Sequence, residues 1–271
     1  MENQSAPMLL IADSHVQPAT ERENEFFQML DWIASTDCDV FFLGDNLDLW
    51  IASGDRYEAD VHRRFLAWCE REKARRRVMM VEGNHEFYLK RHHDSCFTAC
   101  SETFYKIGDI LFLHGDVAQK KFGFHRCFRA FAKNAFGDWV MGWLPFGPAF
   151  AGIMKRFLSS GGLPDFEKLK KPLLYVEKRA KDFCRKFGVS HIVMGHFHHS
   201  VHRELGDGRK FDVIPAWKTE GKIGLLTTDG TLEVLPWKDL MAKCNKRNDT
   251  PHDGVCTIWA RRKATTDLKN G

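Results

Sequence analysis

The sequence predicts a layered α/β fold, a sandwich of mixed sheets carrying an inserted helical cap. Three observations carry that expectation. Short, almost wholly apolar runs recur between turn residues, as strands buried on both faces do. Amphipathic helical patterns separate the early runs, giving the β-α-β alternation of a layered α/β architecture. From about Val117 to Phe187 that rhythm breaks into a stretch that reads as helical, its first part dense in Phe and Trp among Lys and Arg.

Taken in order, strands are expected at Met8–Ala12, Val40–Leu43, Val78–Val81 and Ile110–Leu113. After the break they are expected at Ile192–Met194, Phe211–Ile214, Ile223–Thr227 and Thr231–Leu235. Between the first ones, Glu21–Ala34 sets Phe26, Phe27, Leu30 and Ile33 on one helical face. Asp60–Arg75 does the same with Val61, Phe65, Leu66 and Cys69. The last strands follow with few helices between them, which calls for a mixed sheet or a second sheet. The expected organisation is a discontinuous core (1–116 and 188–240), a helical cap (117–187) and a basic, loosely ordered tail (241–271). Within the cap, the aromatic run Trp139 to Phe157 is broken by Pro145 and Pro148. It is too short for a spanning helix, which needs about 20 apolar residues. A cap resting on a membrane surface is the expectation instead.

The bulk numbers fit a soluble globular protein. Of 271 residues, 44% are hydrophobic and 28% charged, with a formal net charge of +4, so a sizeable core is available and no strong field points to nucleic acid. Eight cysteines show no CxxC pair and read as reduced, packed thiols of a cytoplasmic protein. No obligate protein partner is evident.

Five short motifs carry chemistry. They are Asp13-Ser14-His15, Gly44-Asp45-Asn46-Leu47-Asp48, Gly83-Asn84-His85-Glu86, His114-Gly115-Asp116 and Gly195-His196-Phe197-His198. Each falls at the end of an expected strand. Residues at the carboxyl ends of neighbouring strands gather at one rim of an α/β sheet, where such folds place ligands. Any one motif alone is ordinary turn chemistry; five in succession at strand ends are not. Carboxylate, imidazole and amide oxygen, with no thiolate, suit Mn, Fe, Zn or Co. Seven such groups exceed the needs of one catalytic ion and match two ions about 3.5–4 Å apart. His92, His93, His199 and His202 adjoin the motifs and read as polar surface residues.

This order of motifs resembles the calcineurin-like metallophosphoesterases across residues 13 to 198. The resemblance implies the layered sandwich of that superfamily and a hydrolase acting on phosphate ester or diphosphate bonds. It implies that Asp13, His15, Asp45 and His198 hold one divalent ion, most readily Mn, and that Asp45, Asn84, His114 and His196 hold the other. Asp45 would bridge. His85 would contact the phosphoryl oxygens or protonate the leaving group, with Asp48 orienting it.

Within that superfamily the chain is most similar to the UDP-2,3-diacylglucosamine diphosphatases of lipid A synthesis. Leu43 to Ile51 resembles their second motif, and Pro215-Ala216-Trp217-Lys218-Thr219-Glu220-Gly221 resembles a later segment. Phe128 and Arg129 resemble a pair in their cap. The resemblance implies a phosphorylated lipid or small-molecule substrate, with peripheral contact at the cytosolic face of the inner membrane. Lys121, Phe122, His125, Arg129 and Trp50 are the expected substrate contacts, although Lys120, Lys121, Phe122 and His125 stand where those enzymes tend to place acidic and Tyr residues. Gly83-Asn84-His85-Glu86 departs from those enzymes and keeps the form of the wider superfamily. Another phosphatase or phosphodiesterase, acting on nucleotides or phospholipid-like esters, is the alternative. A catalytically silent scaffold on this fold would be expected to have lost ligands, and the set here is complete.

Overall fold

The computed structural model describes residues 6–118, 133–143 and 170–247. Its strands are β1 (Met8–Ile11), β2 (Asp39–Phe42), β3 (Trp50–Ile51), β4 (Val78–Val81), β5 (Glu86–Phe87), β6 (Ala99–Ser101), β7 (Phe104–Ile107) and β8 (Ile110–Leu113), followed by β9 (His191–Met194), β10 (Val201–Gly206), β11 (Arg209–Val213), β12 (Lys222–Leu226) and β13 (Leu232–Pro236). The helices are α1 (Glu21–Ala34), α2 (Asp60–Glu72), α3 (Leu89–His93), α4 (Ala135–Trp143), α5 (Lys170–Phe187), α6 (Trp217–Glu220) and α7 (Trp237–Arg247).

Two mixed sheets form the sandwich. One runs β13-β12-β1-β2-β4-β6 and the other β10-β11-β9-β8-β7. In the first, β1, β2, β4 and β6 are parallel, while β12 and β13 join antiparallel. In the second, β8, β9 and β11 are parallel and flanked by antiparallel β7 and β10.

Strand periodicity explains the layers. Alternate side chains point to opposite faces, so Met8, Leu10, Phe41 and Met79 face inward and pack with Phe112, Val193 and Ile214 of the second sheet. Leu9, Ile11, Val40, Phe42 and Met80 face outward onto Phe26, Leu30 and Ile33 of α1 and Phe65 and Cys69 of α2. On the far side, Leu111, Leu113, Ile192, Met194, Phe211 and Val213 pack against Val176, Ala180 and Cys184 of α5. The result is an α/β/β/α sandwich in which the parallel strands β1, β2, β4 and β9 are buried along their whole length, as their largely apolar sequences require.

Two sequence expectations shift. Lys170–Phe187, assigned to the cap, is the outer helical layer of the second sheet, because its apolar stripe at Val176, Ala180 and Cys184 is buried there. Residues 241–247, assigned to the loose tail, instead continue α7, which buries Trp237 and Leu240 in the core; the rest of the expected tail, 248–271, lies outside the described residues. Among the described residues no helix is long and apolar enough to cross a membrane.

Candidate metal centre

The carboxyl ends of β1, β2, β4, β8 and β9 meet at one rim, and each motif turns there. Asp13 N–H donates to the Gly44 carbonyl (3.1 Å) and His15 N–H to the Asp45 carbonyl (2.9 Å), which locks the first two loops side by side. His196 N–H donates to Asp13 Oδ2 at 2.7 Å, which ties the second sheet to the first, and Gly195 N–H donates to the His114 carbonyl at 2.9 Å, which holds the loops after β8 and β9 together.

Close approach explains the glycines. A Cβ on Gly83 would lie 2.1 Å from Asp45 Oδ1, and one on Gly44 would lie 2.6 Å from the Gly83 nitrogen. Gly44 also has φ +88°, which side chains rarely adopt. More unusual are the non-glycine residues with positive φ: Asp13 (51°), His15 (41°), Asp45 (53°), His196 (72°) and His198 (62°). Left-handed backbone at such residues costs free energy and persists where the surroundings enforce it, which is characteristic of functional sites. Here it aims five side chains at one point.

Those side chains form overlapping groups whose ligand atoms lie within 4.8 Å of one another: Asp13, His15 and His198; His15, Asp45 and His85; Asp45, His114 and His196. Asp45 spends Oδ1 on the His85 N–H (2.8 Å), leaving Oδ2 between the groups, 3.3 Å from His114 Nε2 and 3.8 Å from His15 Nε2. Asp13 Oδ1 lies 3.4 Å from His198 Nε2 and is buried without a hydrogen-bond partner. His114 Nδ1–H donates to the Leu43 carbonyl (2.8 Å), so Nε2 turns to the centre, 3.2 Å from Asn84 Oδ1 and 3.2 Å from His196 Nδ1. A backbone carbonyl behind an imidazole is the usual support of a metal ligand.

The electrostatics are those of a site short of positive charge. Burial opposes ionisation of Asp45, yet His114, His85 and His15 hold its carboxyl well below the usual range. Burial also opposes the charged form of His114, but Asp45 outweighs it and raises the imidazole. His15 is pushed down to about 4, chiefly by burial. Two buried carboxylates, converging imidazoles, an orphaned carboxylate oxygen and a missing Cβ fit divalent cations, which these side chains would hold. Cations there would replace the proton that Asp45 draws onto His114.

The structure thus brings Asp13, His15, Asp45, Asn84, His114, His196 and His198 together. His85 stands at the edge of the group, its ring 4.7 Å from that of His15, and its Nδ1 lies 4.0 Å from Asp48 Oδ1, beyond a hydrogen bond. Trp50, expected at the substrate, is buried instead, stacked on His62 at 4.7 Å and packed against Phe65, because β3 runs beneath the rim. Lys121, Phe122, His125 and Arg129 lie outside the described residues. Two contributors were not anticipated. Glu86 accepts N–H bonds from Asp45, Asn46 and Gly83, and buried Lys133 reaches the Gly83 carbonyl. Glu86 was visible as the last letter of its motif; Lys133 had no sequence signal.

The family profile described as calcineurin-like phosphoesterase matches residues 6–200. The chain belongs to that family. It is accordingly a hydrolase of phosphate esters, in a family that binds divalent metals, with candidate ligand groups in the expected place. Among solved structures, this phosphoesterase is similar to a predicted phosphoesterase from Streptococcus pneumoniae at 12% identity, covering 85% of this chain and 97% of that one with a TM-score of 0.36. It is similar to vacuolar protein sorting 29 from Cryptosporidium parvum at 13% identity, covering 85% and 95% with a TM-score of 0.39. The nuclease MPE from Pseudomonas putida is 13% identical over 84% of this chain and 87% of its own, with a TM-score of 0.36. No curated protein matches the chain.

Proposed function

We propose that this phosphoesterase hydrolyses the diphosphate bond of a lipid-linked nucleotide sugar of the UDP-2,3-diacylglucosamine kind, releasing UMP and a lipid monophosphate. The observation that carries the reading is α4. Phe136, Trp139 and Trp143 are 57%, 59% and 75% exposed on it, with Phe136 and Trp139 stacked at 6.0 Å. Polar bonds hold this helix against the segment that follows the second motif: Ser53 Oγ donates to Asp138 Oδ1 (2.7 Å), and Tyr57 OH to the Met141 carbonyl (2.8 Å). An apolar platform beside a phosphoester site suits a substrate with acyl chains, and Trp on such a face suits a membrane surface.

Two divalent ions, with Mn²⁺ the proposed occupant, would polarise the phosphoryl oxygens and lower the pKa of the attacking water. The chain supplies the rest. Asp13, His15, Asp45, Asn84, His114, His196 and His198 hold the ions. His85, at the open edge, donates a proton to the leaving oxygen or a hydrogen bond to the phosphoryl group. Asp48, its Oδ1 4.0 Å from His85 Nδ1, stands behind the ring and orients it.

Turnover of UDP-2,3-diacylglucosamine with Mn²⁺, beside an aryl phosphodiester, tests the proposal. UMP release is expected. Cleavage of the aryl diester alone would discard the lipid substrate in favour of a nucleotide or phospholipid-like ester, a reading that the superfamily form of Gly83 to Glu86 favours. Flotation with anionic liposomes tests membrane contact, and a protein that stays at the bottom of the gradient would remove it.

A further inference from the structure

Lys133 lies outside every motif and fifty positions from the Gly83 loop, yet it ends there. Its Nζ is within 2.5 Å of the Gly83 carbonyl, to which it donates, and 3.2 Å from Glu82 Oε2. Lys133 is 9% and Glu82 1% exposed, so this is a buried ion pair. The other Glu82 oxygen accepts the Lys90 N–H (2.9 Å) at the start of α3, completing the pairing that a buried carboxylate needs.

We propose that Lys133 is a positioning residue for the metal centre, clamping the peptide that presents Asn84 and His85. Gly83 must lack a side chain because Asp45 crowds it, so this hinge has the greatest backbone freedom of any residue type. Two buried groups remove that freedom. Glu86 holds the Gly83 N–H at 2.8 Å, and Lys133 holds the carbonyl of the same residue. Asn84, next along the chain, then meets His114 Nε2 at 3.2 Å, and the His85 N–H meets Asp45 Oδ1 at 2.8 Å.

Lys133 is itself fixed. Asn134 caps α4 by accepting the Gly137 N–H on its side chain (2.8 Å). Asp138 binds Ser53 Oγ at 2.7 Å and His92 Nε2 at 2.9 Å. Arg56 donates to the carbonyl of Met141 at 2.6 Å. The helix after Lys133 is therefore pinned to the segments that follow the second and third motifs, and it carries the clamp with it. The segment inserted between β8 and β9 thereby sets the geometry of candidate ligands that it does not contain.

The inference rests on the metal reading of the site, and its test separates the two. Lys133→Met, Lys133→Arg and parent are stripped with chelator and followed by amide hydrogen exchange, then titrated calorimetrically with MnCl₂. In the metal-free proteins, Lys133→Met is expected to exchange at least about 10-fold faster over residues 83–90 while β1 and β2 stay as protected as in the parent. Its affinity for at least one Mn²⁺ equivalent should fall by about 10–100-fold, the usual cost of losing a group that supports a ligand. Lys133→Arg, which keeps the charge and donors, should return both readouts toward the parent. If Lys133→Met strands Glu82 and fails to fold, Glu82→Gln/Lys133→Met removes the stranded charge and is judged by the same readouts. Unchanged exchange over 83–90 with unchanged Mn²⁺ affinity would overturn the clamp. A parent that takes up no Mn²⁺ would sink the metal reading, and the metal-free exchange would still decide the role of Lys133 in ordering the loop.

Discussion

Glu86 holds the backbone of Asp45 across two loops: its Oε2 accepts the Asp45 N–H at 2.7 Å and its Oε1 the Asn46 N–H at 2.8 Å. The same Oε2 accepts the Gly83 N–H at 2.8 Å, so one buried carboxylate spans the second and third motifs. A glutamine offers one acceptor oxygen in place of two and turns an amide toward donors. Glu86→Gln is expected to lower unfolding free energy by about 2–4 kcal/mol, the scale for losing charge-assisted bonds to buried donors. Urea unfolding of the metal-free protein measures this, and a midpoint equal to the parent's would show that the loops are held by other means.

Asp45 touches both groups of ligands through Oδ2, so its loss should empty both positions together. Asp45→Ala is expected to carry less than one ion per chain by elemental analysis and to show no turnover. Retention of two ions would mean that the centre is not bridged through this residue.

His85 stands at the edge of the ligand group, with Asp48 behind it. His85→Ala is expected to keep nearly parental metal content while the rate falls by about 10²–10⁴-fold, the range for a positioned acid. Elemental analysis and kinetics on one preparation separate the two effects. A fully active variant would end the assignment.

His62 provides a pH-dependent element away from the centre. It is buried, stacked on Trp50, and its Nδ1 accepts the Ala59 N–H at 2.9 Å. Burial above all, then Arg63 and His93, lowers it from 6.5 to about 4. Between those values the unfolded chain takes up a proton that the folded chain refuses, so stability is full above pH 6.5 and falls as pH drops toward 4. The loss attributable to this residue is up to about 3 kcal/mol. Comparing urea midpoints at pH 7 and pH 4.5 for parent and His62→Gln isolates it. Parallel losses in the two proteins would show that other groups carry the acid sensitivity.

Much of the fold was legible because burial wrote it into composition. The strands covered on both faces, such as Val78–Val81 and His191–Met194, are apolar nearly throughout, and Glu21–Ala34 shows its helical stripe directly. Strands held mainly by backbone pairing were not legible. Val201–Gly206 exposes most of its side chains at a sheet edge and reads as a polar loop, and β3 and β5 have two residues each. The assignment of α5 to the cap failed because an amphipathic stripe says that a helix is covered, not by what. At the site, residue types and strand-end positions pointed to Asp13, Asp45 and His114. The grip of Lys133 on Gly83 depends on how a distant insertion folds back, which no local pattern encodes.

The candidate ligands come from both halves of the sandwich: Asp13, His15, Asp45 and Asn84 follow strands of one sheet, and His114, His196 and His198 follow strands of the other. Ions seated among them would act as rivets through two plates whose shared interior is apolar. Sliding one sheet over the other would have to shear those bonds first, so loading should raise the melting temperature with ion concentration and stiffen the seam between the sheets more than the periphery.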